Sequence, residues 1–319
     1  MYRPLTMVLV AMGWTTAALA QEQAVPRPNP MVPAGAWAAS LKEHPRLLGP
    51  RAYLKGRVQQ RPQDWQQIRQ AQELPMLGVA HAVEGRTRQQ VEPHIREAMK
   101  NIGRGVTDIH QDTWIWLTQV VMVYDQFHDL LTPQERRQII DWINPHLEKF
   151  VCDEGAFHNS TLSKVHCYLR IAYGTWGENP RAKEFRDYAL LKLYEGKLLP
   201  VLKEFGQGGG YTECGWYTRG SLWNLVEALE LARRFEAYDG FARAPAFFYQ
   251  RLAYEMLQPY PGRWLYGTER FACEGDGSEV YGGHTEYPRH TRMLLGQYFR
   301  GSELARYVAN KRRRGSNAQ

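Results

Sequence analysis

The chain has 319 residues, four cysteines and a formal net charge of +7, a length that suits one large domain or two smaller ones. Arg3 leaves with an N-terminal leader, and Lys311, Arg312, Arg313 and Arg314 sit in the last nine residues, so the body carries only +2. The basic pI is therefore weak evidence for a polyanionic ligand, and no nucleic-acid partner is expected.

Met1-Tyr2-Arg3 precedes the apolar run Met7 to Met12, and small residues follow at Ala17, Ala18 and Ala20. This is the pattern of a secretory signal cleaved after Ala20. The apolar run is too short for an anchor, and no later segment supplies one, so no membrane span is expected in the mature protein. The expected compartment is the periplasm or the exterior. Residues 21–43 are rich in Pro, Ala and Gln and read as a linker or N-terminal arm, and residues 310–319 as a basic tail. Between them, residues 44–309 have helical period in almost every segment.

Trp116, Val120, Tyr124 and Phe127 recur at intervals of three and four, which is an amphipathic stripe facing a core. Immediately after it, Thr132 suits an N-cap, Pro133 the first helical position, and Glu135 the return arm of a capping box. Further helical patterns cover roughly 160–174, 181–204, 217–236, 241–258 and 290–309. Strand signals are sparse. The expectation is an all-α chain whose consecutive helices form antiparallel hairpins. The four cysteines, Cys152, Cys167, Cys214 and Cys273, are too scattered for a disulfide scaffold and lack metal-ligand spacing, which leaves open a Cys152–Cys167 bridge or buried free thiols.

Two segments carry groups suited to chemistry. In Phe157-His158-Asn159-Ser160-Thr161, Asn159 or Ser160 is a natural N-cap, and His158 sits beside the positive end of the helix that follows. In Gly208-Gly209-Gly210-Tyr211-Thr212-Glu213-Cys214-Gly215-Trp216-Tyr217, three glycines permit positive φ and close approach to a ligand, and a carboxylate and a phenol follow. The glycines lack the Lys-Ser/Thr of a phosphate loop and do not follow a strand, which argues against nucleotide binding. Glu269, Glu274, Asp276 and Glu279 surround Gly275 and Gly277, where a solvated turn is the default. EF-hand spacing is absent there.

These segments, in this order, resemble the helical domain of the heparinase II/III-like polysaccharide lyases. His44-Pro45-Arg46-Leu47-Leu48 resembles that family's opening phrase. Val123-Tyr124-Asp125 with Leu131 to Arg136 resembles its central hairpin, and Gly275-Asp276-Gly277 a later loop. Phe157-His158-Asn159 resembles the helix start that handles the substrate carboxylate, and Gly209 to Glu213 with Tyr217 the segment of the catalytic tyrosine. The resemblance implies an incomplete α/α toroid over residues 44–309, followed in the family by a β-sandwich, of which this sequence has no counterpart. It also implies β-elimination on an acidic, uronate-containing polysaccharide such as heparan sulfate or alginate. Asn159, helped by His158, would neutralise the substrate carboxylate, and Tyr217 would protonate the departing oxygen, with Tyr217 or His158 as base. Glu213, Trp216 and Tyr211 would contact substrate. No cofactor is implied; family members can hold a structural metal, but the sequence displays no site for one. Two rival readings remain. In a toroid glycoside hydrolase, Glu213 would pair with Glu274 or Asp276; alternatively, the chain is a non-catalytic polysaccharide-binding fragment.

Overall fold

The Thr132 hydroxyl accepts a hydrogen bond from Glu135 N at 3.2 Å, and the Glu135 carboxylate accepts one from Thr132 N at 2.8 Å. With Pro133 at the first helical position, the capping box is complete and the helix starts where the sequence requires it. The computed structural model describes residues 25–103, 111–149, 158–210, 215–257, 286–307 and 309, and these residues form helices and loops with no strand. Among them, no helix is long and apolar enough to cross a membrane.

In chain order the helices are α1 (Arg51–Gln60), α2 (Pro62–Gln70), α3 (Leu74–Glu84), α4 (Arg88–Gly103), α5 (Gln111–Gln126), α6 (Pro133–Ile143) and α7 (His146–Lys149). Then come α8 (Asn159–Gly174), α9 (Ala182–Asp187), a π-helical stretch (Tyr188–Leu198), α10 (Leu199–Glu204), α11 (Gly215–Glu236), α12 (Pro245–Leu257) and α13 (Glu286–Tyr298). The pattern expected over 181–204 is thus one rod whose middle, Tyr188–Leu198, is underwound. The pattern expected over 290–309 is interrupted. α13 ends at Tyr298, and Gly301, at φ 93°, turns the chain before a short helical segment from residue 303 to 307. A glycine just past a helix end takes the left-handed conformation without a Cβ clash and stops the helix.

The helices form two rows, and cross-helix contacts give the direction of the inner one. Thr118 hydrogen-bonds Cys167, Val121 lies against Gly174, and Tyr124 reaches Glu178, so α5 and α8 ascend together. Ser163 meets Asn224, Arg170 meets Glu227, and Tyr173 meets Glu236, so α11 runs parallel to α8. Trp223 beside His290 and Arg233 over Tyr298 extend the same sense to α13. On the other flank, Gly78 and His81 of α3 follow Gln126 and Phe127 of α5.

The outer helices return the chain. Tyr168 of α8 packs edge-on against Phe185 and Tyr188, which follow it in sequence, so α9 doubles back on α8. α12 starts near Tyr298 at the end of α13, through Phe241, and reaches Gly209, just before α11, through Arg251. α8 with α9 and α11 with α12 therefore form antiparallel hairpins of the kind that short links favour. α8 is the centre of the molecule. Leu162, Val165, Leu169, Ile171, Ala172 and Tyr173 on it have no exposed surface, and truncating one such aliphatic to Ala costs ~2–5 kcal/mol.

Residues 25–43 are a docked arm. Gly35 N and Trp37 N donate to the carbonyls of Arg233 and Arg234 at 2.8 and 2.9 Å, capping the end of α11. Trp37, 3% exposed, inserts between Tyr53 and Phe235. One buried indole fixes a stretch that its Pro and Ala content left ambiguous.

The rows have a consequence for function. Parallel inner helices place all their N-termini at one end of the molecule and all their C-termini at the other. The starts of α5, α8, α11 and α13 share the first end, and their dipoles add there as partial positive charge.

Candidate functional site

α8 begins one residue earlier than its sequence suggests. The N-cap is His158, whose Nδ1 accepts a hydrogen bond from Ser160 N at 3.2 Å and also contacts the Ser160 hydroxyl. Asn159 and Ser160 are the first helical residues, so neither is the cap. Imidazole can replace the usual short side chain because an accepting ring nitrogen serves the orphan N–H as well as a hydroxyl does. In a neutral ring with Nδ1 accepting, the proton lies on Nε2. His158 is exposed, and Asn159 is 7% exposed.

Below Asn159 a polar stripe descends α8. Asn159, Ser163, His166 and Arg170 follow at intervals of four, three and four, on one face of the helix. It faces a matching stripe on α11. Asn224 Nδ2 donates to Ser163 Oγ at 3.2 Å, His166 Nε2 lies 3.3 Å from Glu227 Oε2, and Arg170 pairs with the other Glu227 oxygen. Trp223 stands 5.8 Å from the His166 ring and the same distance from His290. Burial lowers the His166 pKa and the Arg170 charge lowers it further, so this imidazole is neutral at physiological pH. Burial would raise Glu227, but Arg170 and His166 outweigh it and hold the carboxyl well below the usual range. The seam thus contains a neutral imidazole held beside an ionised carboxylate. Next to it, Cys167 is a free buried thiol, pushed up to about 12 by burial; the free thiol is the outcome for this residue, and Cys152 lies outside the described residues.

The parallel register brings the two sequence motifs to the head of this seam. Asn159 precedes Ser163 by four residues, and Tyr217, in the first turn of α11, precedes Asn224 by seven. At 1.5 Å per residue Tyr217 therefore starts ~4.5 Å further out along the common axis than Asn159. Trp216 and Tyr217 are placed by their backbone alone. Tyr211, Glu213, Glu274 and Asp276 lie outside the described residues, as does the Gly275-Asp276-Gly277 loop.

The glycine loop has a structural duty of its own. Gly208 and Gly209 take φ of 81° and 77°, the positive values expected of them, while Gly210 is at φ −70°. The close approach at Gly209 is to α12, because a Cβ there would lie 2.3 Å from Arg251 N. Arg251, 1% exposed, returns a hydrogen bond to Gly209 O at 3.1 Å. Packing against α12 is enough by itself to require this glycine.

The opposite end of the inner row holds a second polar cluster, made from two phrases of the sequence. Asp125, fully buried, accepts from Arg46 N, Leu47 N and His44 Nδ1 at 2.8 Å each. His44 Nε2 lies 3.1 Å from Glu178 Oε2, and Arg46 and Tyr124 also donate to that carboxylate. Burial lowers the His44 pKa, yet the bonds to Asp125 and Glu178 prevail and raise it. His128 stacks on the His44 ring at 3.9 Å; burial and the His44 charge push it down to about 4. His44, His128 and Glu178 are the described residues whose ligand atoms lie close enough together to share a metal ion.

Sequence reasoning named His158, Asn159 and Tyr217 and missed His166, Arg170 and Glu227. The available signal was the spacing of Asn159, Ser163, His166 and Arg170, which puts four polar residues on one face of α8. No protein-family model matches the chain, and the comparison with curated proteins finds no match.

Proposed function

We propose that this chain is a polysaccharide lyase of the heparinase II/III-like kind, acting on a uronate-containing polymer at the N-terminal end of the inner helical row. One observation carries the reading. The parallel register of α8 and α11 puts Asn159 and Tyr217 at the head of a buried polar seam, offset by about one helical turn along the common axis. The summed dipoles of four helix starts make the same end attractive to a polyanion, even though the body of the chain is nearly neutral.

In the proposed reaction, Asn159 donates its amide to the uronate carboxylate. This favours enolate character at C5, as an oxyanion hole does. The C5 proton is removed, its electron pair forms the C4–C5 double bond, and the C4–O bond breaks. Tyr217 delivers a proton to the departing oxygen. The His158 ring, with Nδ1 committed to the α8 cap, presents Nε2–H as a donor. That arrangement favours Tyr217 as both base and acid, with His158 assisting Asn159 at the carboxylate. His166 and Glu227, 3.3 Å apart, lie together about two turns below Asn159 and hold the seam in register. On this reading the two rows are part of an incomplete α/α toroid, and the protein is exported after cleavage behind Ala20.

Absorbance of the conjugated unsaturated uronate, recorded against a panel of heparan sulfate-like and alginate-like polymers, tests the proposal. The wild-type chain should produce it with one polymer class. Tyr217→Phe should lower kcat at least ~100-fold with an unchanged circular dichroism spectrum. New reducing ends without the chromophore would instead establish hydrolysis. A Tyr217→Phe variant at wild-type rate would overturn the assignment.

A further inference from the structure

We propose that His44, His128 and Glu178 form a binding site for a single divalent transition-metal ion, with Zn2+ the best fit. The three ligand atoms all lie within 4.8 Å of one another. His44 Nε2 is 3.2 Å from Glu178 Oε1, and His128 Nε2 is 3.7 Å from the same oxygen. Ligand atoms bound to tetrahedral zinc at ~2.0–2.1 Å stand ~3.3 Å apart, so the two separations bracket the required value. The imidazole rings stack with planes 11° apart and 3.9 Å between centroids, so both present an edge to the same carboxylate.

The surroundings are those a metal ligand needs. His44 Nδ1 is held by Asp125 Oδ1 at 2.8 Å, which fixes the ring and leaves Nε2 as its only ligating atom. Asp125 is itself anchored by two backbone N–H groups, from Arg46 and Leu47. Glu178 is oriented by Tyr124 Oη at 3.1 Å and by the Arg46 guanidinium at 3.2 Å. The Glu178 side chain is 34% exposed, so a fourth, solvent position is open. Two nitrogens and one carboxylate suit zinc, cobalt or nickel; calcium and magnesium require more oxygen ligands than the cluster offers. Arg46 is the opposing influence, since its charge shares both Glu178 oxygens, and it should leave the site weaker than an all-cysteine structural site.

The ligands come from three distant parts of the chain: the segment before α1, the turn after α5 and the turn after α8. A bound ion would clamp these segments at the end of the inner row remote from Asn159 and Tyr217. The site therefore stands or falls independently of the lyase reading.

Calorimetric titration of the chelator-treated full chain with ZnCl2 tests it, alongside Co2+ absorption, which reports tetrahedral nitrogen and oxygen ligation. The expected result is one equivalent bound at micromolar or tighter dissociation constant, with a metal-dependent rise in Tm. His128→Ala and Glu178→Gln should each weaken that equivalent at least ~100-fold. His128 is the safer variant, because its ring makes fewer hydrogen bonds than Glu178, and its circular dichroism should match wild type without metal. Absence of zinc uptake by the wild-type chain overturns the proposal, as does uptake that His128→Ala leaves unchanged.

Discussion

At the C-terminal end of the inner row, one fully buried carboxylate accepts from three donors and ties the segment before α1 to α5. At the N-terminal end, the polar residues of α8 and α11 meet mainly across the helix interface, and the head of the seam carries the exposed His158. The two ends use similar residue types for different purposes. A carboxylate enclosed by backbone N–H groups contributes chiefly to stability, because every donor around it would otherwise be buried unpaired. A row of side chains on rigid helices positions groups for a ligand. If this division is real, substitutions at the two ends should separate stability from turnover.

The largest expected effect is at the closed end. Asp125→Ala leaves Arg46 N, Leu47 N and the His44 ring without their acceptor inside the protein. The cost should be ~3–5 kcal/mol, the range for breaking a buried ionic network by removing one partner. Urea unfolding measures it. Turnover per folded molecule should be unchanged, because the seam head lies at the other end of the row. A loss below ~1 kcal/mol, or a selective loss of turnover, would break the comparison.

Much of the closed end was legible. The Thr132-Pro133-Glu135 box is a local pattern, read in the three residues that form it, and in the stripe of Trp116, Val120, Tyr124 and Phe127 the last three are buried while Trp116 is half-buried. His44-Pro45-Arg46 and Tyr124-Asp125 were visible as phrases, but their contact across 79 positions, between Arg46 and Asp125, was not. At the other end, the α8 N-cap was misplaced because the preference for Asn and Ser is statistical, while the ring nitrogen of His158 meets the same requirement. His166 and Glu227 were invisible for a different reason. Their pairing depends on α8 and α11 being parallel neighbours, and the direction of non-consecutive helices is a tertiary fact that no periodicity carries. The same holds for His44, His128 and Glu178, whose separations along the chain match no ligand motif.

The seam should give an intermediate effect that sharpens the contrast. Glu227→Gln keeps the volume but removes the charge that Arg170 and His166 share. Stability should fall by roughly 1–3 kcal/mol, the cost of leaving a buried charged donor poorly paired. Turnover should fall with it, ~10-fold or more, because Asn159 and Tyr217 are aligned by the same helix pair. Unlike Asp125→Ala, this variant should lose activity in the molecules that remain folded, which rate measurement against active folded concentration resolves. The pH dependence has a definite sign. The folded-state pKa of Glu227 is depressed, so its contribution is present above the ordinary carboxylate pKa and is lost as pH falls through the folded value. The difference between wild type and Glu227→Gln should therefore narrow as the solution is acidified.

The smallest expected effect tests whether the closed end is one network or several independent fastenings. Arg88 of α4 hydrogen-bonds both Glu135 oxygens, at 2.8 and 2.7 Å, while Glu135 also closes the α6 capping box. The Arg88 bonds dominate in lowering Glu135 from 4.5 to about 2, with burial opposing. A depressed carboxyl stabilises the fold fully above its unfolded pKa and loses that contribution as pH falls through about 2. Glu135→Gln keeps a capping oxygen but loses the ion pair, and because Arg88 is partly solvated the cost near neutrality should be only ~1 kcal/mol. That cost should shrink progressively between about pH 5 and about pH 2, followed as the change in urea midpoint. Combined with Asp125→Ala the two losses should add, since the fastenings share no residue. Strong coupling between them would instead make the closed end a single cooperative unit, and the loops after α5 would then transmit strain from α4 to the His44 cluster.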